Sequence, residues 1–261
     1  MNKNILKKIN KIQVDIGNAF KPLHSINQTF NPIFESINKI RQPIIKLQKL
    51  SMNLNTNFSK FSEVFKRVII MLGEEGWFID EEMPISYIRK FENISKIENN
   101  SFHKIQNDLV KYYTLNLDEI ESSIIKSFPN REKIICSAFQ AHKDKKYELS
   151  IPVLLTQIDG ICFEKTDKYY FMKKRGTQYP ETFDYVEEVI QDEFNKTLHT
   201  GLTKSFPINH SKKQRKLHNK PNTLNRHQII HGESIEYPSK INSLKVISLI
   251  NYITQILEKE E

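Results

Sequence analysis

Glycine is scarce in this chain, seven in 261 residues, and none lies in a glycine-rich run that could cradle phosphates. No Gly-x-Ser-x-Gly elbow or triad pattern is present, so nothing points to a serine or cysteine nucleophile. Cys136 and Cys162 stand alone and in no metal-ligand spacing, which excludes a disulfide framework and fits buried free thiols in a reducing compartment. No run approaches the roughly 18 apolar residues that a membrane-spanning helix needs. The amino terminus is basic but has no continuous apolar core or small-residue cleavage site. No signal peptide and a cytoplasmic location are therefore expected. Acid is missing from one long interval: between Glu193 and Glu233 no carboxylate occurs.

That interval carries Lys196, Lys204, Lys212, Lys213, Arg215, Lys216, Lys220 and Arg226, which together equal the whole net charge of +8. His199, His210, His218, His227 and His231 fall there too. Such a field attracts a polyanion in a salt-dependent way, although a charge run can also be a solvated loop. Apolar residues otherwise recur at helical spacing, so an all-α fold is predicted, an up-and-down helical bundle preceded by a segmented helical arm.

The arm occupies residues 1–52. Ile5, Ile9, Ile12, Ile16, Phe20, Leu23, Ile26 and later residues form one apolar stripe, broken by Pro22, Pro32 and Pro43, where a helix must kink or restart. The stripe needs a partner: the bundle, a second copy, another protein or a membrane surface. Residues 53–100 read as a helical linker subdomain, with Trp77 a core anchor or, less simply, a stacking platform. Within 101–261, Asp118 and Asn130 are the expected N-caps of helices 119–127 and 131–142. The most apolar helix, 150–166, is the expected centre, interrupted by Gln157, Asp159 and Gly160. Asp159 either orients a catalytic side chain or meets solvent or a lysine. Tyr169, Tyr170 and Phe171, set among lysines, either stack unpaired bases or pack a loop. A helix is predicted over 183–198, a mobile lysine-rich loop over 199–221, and a last helix over 241–257 capped by Ser239.

The segment on which a function rests is Leu224-Asn-Arg-His-Gln-Ile-Ile-His-Gly232. Asn225 can cap a helix that starts at Arg226 and that Gly232 ends. Cleavage of an RNA backbone needs a group that titrates near neutrality and a fixed cation for the phosphorus oxygens. A histidine and an arginine supply those two requirements.

Arg226-His227-x-x-x-His231 resembles the signature of the HEPN superfamily: an arginine, a polar residue, three variable residues and a histidine. The resemblance covers residues 101–261, and only the signature matches residue by residue. It implies a small all-α bundle, commonly dimeric, and a metal-independent endoribonuclease of toxin–antitoxin or phage-defence systems. It further implies that Arg226 and His231 are catalytic, assisted by His227, with the ribose 2′-hydroxyl as nucleophile and no cofactor. Asn225, Asp159 and Gln157 would support the site, and Lys212, Lys213, Arg215, Lys216 and Lys220 would hold RNA. A homodimer with a composite site is expected, and an antitoxin or defence partner would bind the arm. Two rivals remain. His227-Gln-Ile-Ile-His231 has the spacing of a zinc protease, but Gln228 stands where the catalytic glutamate would be. The same bundle could also bind nucleic acid or a protein without catalysis.

Overall fold

The computed structural model describes residues 57–97, 102–190, 193–217 and 224–258. The chain divides into two units, 1–58 and 59–261, and the arm expected over 1–52 lies outside the described residues. The first described helices are α1 (Asn57–Glu74), α2 (Ile85–Ile97), α3 (Phe102–Leu115), α4 (Leu117–Ser127) and α5 (Glu132–Lys143). The long α6 (Tyr147–Thr166) is followed by the short α7 (Thr182–Val189), α8 (Glu193–Leu198), α9 (Thr200–Thr203), α10 (Lys212–Leu217) and α11 (Arg226–Ile230). The long α12 (Lys240–Glu258) closes the described chain. The only pairing of β type among the described residues is an isolated bridge between Lys173 and Pro180. The fold is all-α, as the apolar spacing predicts.

Two helices form the centre. A helix that is apolar all round must be buried, and both α6 and α12 have that character. Leu154, Leu155, Ile158 and Ile161 of α6 meet Leu244, Ile247, Ile250 and Ile253 of α12 in a fully buried core. Shortening any one of these to alanine should cost about 2–5 kcal/mol. Helix α5 packs on α6, α3 and α4 meet α12, and the short α11 rests on α6. Val68, Leu72, Trp77 and Phe91, from the stretch read as a linker subdomain, belong to the same core. Trp77 is fully buried against Tyr113 and is a core anchor.

Helix α6 starts earlier than its apolar pattern suggests and has Pro152 in its interior. Proline lacks the N–H that would bond the carbonyl of Glu148. That carbonyl instead accepts the Tyr237 hydroxyl at 3.1 Å.

Several polar residues of α12 are also matched. Ser248 accepts the Phe78 amide, Tyr252 donates to Leu198 O and accepts from the Gly201 amide, and Asn251 donates to Asp80. Ser243 lies 2.7 Å from Nδ1 of the buried His142. Burial, with Lys240 and Lys143 nearby, lowers the His142 pKa to about 4, so this imidazole is neutral and structural.

Several expected boundaries are corrected. Asn116, not Asp118, stands at the N-cap of α4, and Asp118 in the first turn pairs with Lys143. Asn130 lies inside a 3₁₀ turn, Pro129–Arg131, and α5 begins after it. The helix expected over 183–198 breaks at Ile190, which is extended. The loop expected from His199 is, as far as Leu217, a series of short helical turns whose Leu202, Phe206 and Ile208 enter the core. Their apolar contacts outweigh the lysine-rich composition, so this segment is not a free loop.

Candidate functional site

Helix α11 is only five residues long and is held at both ends. Asn225, extended and fully buried, accepts the Gln228 amide on its side chain at 3.2 Å, the N-cap that the sequence predicts. Its amide group also donates to Pro207 O at 2.8 Å and His210 O at 3.0 Å. Arg215 of α10 donates to Asn225 Oδ1 at 3.0 Å, so one side chain joins α10, α11 and the 3₁₀ turn Pro207–Asn209. At the other end Gly232, with φ +70°, lets Glu233 N reach Gln228 O at 2.7 Å. Leu224 and Ile229 anchor the turn in the core. Arg226 is thereby turned toward α6, and His227 and His231 face outward.

Arg226 Nη2 donates to Asp159 Oδ2 at 3.1 Å, and the guanidinium lies over the Phe171 ring, 5.5 Å from its centroid. The other Asp159 oxygen accepts the Phe171 amide at 2.9 Å. Burial pushes the Asp159 carboxyl above its usual range, against the Phe171 amide and Arg226, which pull it down. Arg226 Nε is buried with no hydrogen-bond partner.

The His227 and His231 rings meet edge to face, with centroids 4.4 Å apart. His231 is at the C-cap of α11 rather than within it, yet the two rings still adjoin. Partial burial, then His231, Arg215 and Arg226, lower the His227 pKa, and Glu233 opposes them. These neighbours favour its neutral form. Among the described residues, no third histidine, cysteine or carboxylate joins the pair in a group that could hold a metal ion.

A cavity of about 160 Å³ opens beside Arg226 and His227, with Lys173, His210, Ser211 and Lys212 also in its wall. No carboxylate lines it. Burial lowers the Lys173 pKa, and its ammonium donates to Gln214. The sequence reading missed Lys173, His210 and Ser211 as site residues, although Lys173 lies in the basic aromatic stretch already singled out.

The expected site residues are thus divided. Asp159, Asn225, Arg226, His227 and His231 come together. Gln157 does not join them; it accepts Arg131 of the Pro129–Arg131 turn at 2.9 Å. Lys212 is at the cavity, and Lys213 and Lys216 are exposed on the same short helix. Arg215 is drawn inward to Asn225, His210 O and Glu233, a structural use of its charge. Lys220 lies outside the described residues. Among the other cations of the acid-free interval, Lys196 pairs with Glu187 and Lys204 with Glu74. Among the described residues of that interval, the exposed lysines without an ion pair therefore lie on α10.

Of the aromatic stretch, Tyr170 and Phe171 are core residues and Tyr169 is exposed. Cys162 is buried, and Cys136 is half-buried; both are free. No described helix is long and apolar enough to cross a membrane. The chain matches no known protein family, no characterised protein and no solved structure.

Proposed function

We propose that this protein is a metal-independent endoribonuclease whose site is Arg226, His227 and His231. The observation that carries the proposal is the incompletely used Arg226 guanidinium beside the His227–His231 pair, at the edge of a cationic cavity without a carboxylate. His227 takes the proton of a ribose 2′-hydroxyl, and the 2′-oxygen attacks the adjacent phosphorus. The bond to the 5′-oxygen breaks, that oxygen gains a proton from His231, and a cyclic 2′,3′-phosphate remains. Arg226 offsets the charge that builds on the non-bridging oxygens, with Asp159 holding it in place.

The expected setting is a growth-arresting toxin or phage-defence effector, cytoplasmic, with an antitoxin or other partner on the N-terminal arm. A homodimer would bring two exposed histidine pairs to one groove, so activity should fall on dilution. A second reading also has a specific observation behind it: the Asp159–Arg226 pair bolts α11 to α6, which a non-catalytic RNA-binding module would equally need. Wild type, Arg226→Ala and His231→Ala, incubated with total RNA in EDTA, separate the two. Cleavage by wild type alone supports the nuclease. Intact RNA bound equally by all three leaves the binding module.

A further inference from the structure

Aromatic side chains usually leave water when a chain folds, and an exposed stacked pair next to a basic cavity is a feature with a use. At the end of α6, Asp167 adopts a left-handed conformation with φ +54°, and its amide bonds Phe163 O at 2.9 Å. The chain reverses there, aided by Lys168 N donating to Thr166 Oγ1. It then runs back along the helix. Tyr169 settles on Phe163 with ring centroids 4.7 Å apart and planes only 16° from parallel. The Glu181 carboxylate fixes its position by accepting the Tyr169 amide. Two residues on, the Phe171 amide is on Asp159 and the Phe171 ring is under Arg226.

Asp159 and Phe163 are four residues apart on α6, hence on one face and about 6 Å apart along its axis. The aromatic pair is therefore one helical turn from the arginine of the site. Unlike Tyr170 and Phe171, both rings remain open to solvent, Phe163 at 42% and Tyr169 at 36%. Of the nearby carboxylates, Glu164 and Glu181 are occupied, by Arg131 and by the Tyr169 amide, and Asp167 is exposed at the helix end. Lys168 precedes the tyrosine in sequence, and Lys173 and Lys212 line the cavity beyond it.

We infer that Phe163 and Tyr169 form a stacking platform for one unpaired base of single-stranded RNA, flanking the phosphate held at Arg226. The inference rests on the RNA reading above and adds its substrate form: an unpaired strand, held by base stacking on one side of the cut. An aromatic face accepts any base, so the platform demands single-strandedness rather than sequence. A duplex, whose bases are already stacked, gains nothing from it.

The test uses an uncleavable, fully 2′-O-methylated oligoribonucleotide with 2-aminopurine placed at successive positions. In wild type, fluorescence should be quenched at one or two adjacent positions, and a duplex of the same sequence should bind at least tenfold more weakly. Tyr169→Leu and Phe163→Leu should each lose the quench and weaken single-strand binding about tenfold, without changing the salt dependence. Tyr169→Trp should restore both. Because both rings are exposed, thermal unfolding of the Leu variants should match wild type. If the Leu variants bind and quench like wild type, the platform is overturned while the RNA reading stands. If wild type binds no RNA, that reading falls and the platform falls with it.

Discussion

Two arginines grip α6 from opposite directions, and the difference between them identifies the site. Arg131 lies across Gly160, where its Nη1 meets Gln157 at 2.9 Å, and its Nε and Nη2 both meet Glu164. Arg226 makes one hydrogen bond, from Nη2 to Asp159, lies over the Phe171 ring and has a buried Nε without a partner. The first arginine has each of its three nitrogens engaged by groups of the chain itself. The second is oriented by the chain but keeps donor capacity beside a cavity. Geometry that holds a cation without consuming it is what stabilising charge on a phosphate requires.

The sharpest way to break the comparison is to remove each guanidinium. Arg226→Ala should lower RNA cleavage by about 10²–10³-fold, the usual effect of losing one donor to developing charge. It also strands Asp159 and should destabilise the fold by about 3 kcal/mol. Replacing Asp159 by Asn in the same chain relieves that burial and should recover stability but not cleavage. Denaturant unfolding and single-turnover cleavage measure the two effects separately. If activity returned with stability, Arg226 would be a bolt like Arg131.

The histidines provide the next contrast, since His142 is sealed in the core beside Ser243 and His227 lies at the surface. His227→Ala should reduce cleavage by about 10²-fold, the lower end of the range for general acid–base groups. His142→Ala should act on stability alone. In an NMR titration, His227 should protonate below the ordinary histidine value of about 6.5. In His231→Ala that midpoint should rise, because a neighbouring positive charge has gone. An unmoved midpoint would mean that the two rings do not act as a pair.

A second buried carboxylate, Asp80, has no arginine beside it, and burial shifts it in the same direction as Asp159. Asp80 accepts Tyr112 Oη, the Glu82 amide and Asn251 Nδ2. Burial outweighs these bonds and raises its pKa to about 6. The folded state then binds this proton more tightly than the unfolded chain, so the contribution of Asp80 to stability is fullest below about pH 4 and is lost as pH rises to about 6. The loss should be on the order of 2 kcal/mol. Asp80→Asn should flatten that dependence, because Asn251 can rotate its amide and offer the new side chain its otherwise unpartnered Oδ1. Thermal midpoints measured from pH 4 to 7 check it. A midpoint that rose with pH in wild type would contradict the assigned direction.

These contacts explain why some of the site was legible in the sequence and some was not. Asn225, Gly232 and Ser239 act locally, on amides two to three residues away, so their spacing was enough to place them. Asp159 stood out because a carboxylate interrupts an otherwise apolar helix. Asn130 misled because it follows Pro129, which favours a 3₁₀ turn before the helix. Residues 199–217 carry no helical period, since Leu202 reaches the core from one short turn and Phe206 and Ile208 from the next. The cavity wall therefore had no pattern to read. Arg131 and Gln157 meet across 26 residues, a pairing that spacing along the chain does not encode.

The smallest effect should come from the first arginine, Arg131. A Cβ on Gly160 would lie 2.6 Å from Arg131 Nη1, too close to coexist with the present geometry. Arg131 is long and its Glu164 partner is 45% exposed, so the guanidinium can swing outward. Its bonds there contribute about 0–1 kcal/mol. Alanine in a helix interior regains about 1 kcal/mol over glycine. Gly160→Ala should therefore change stability by less than about 1 kcal/mol and leave cleavage intact, even though Gly160 is the next residue after Asp159. A large loss of activity without a loss of stability would show that the two faces of α6 are coupled, and that Arg131 also serves the site.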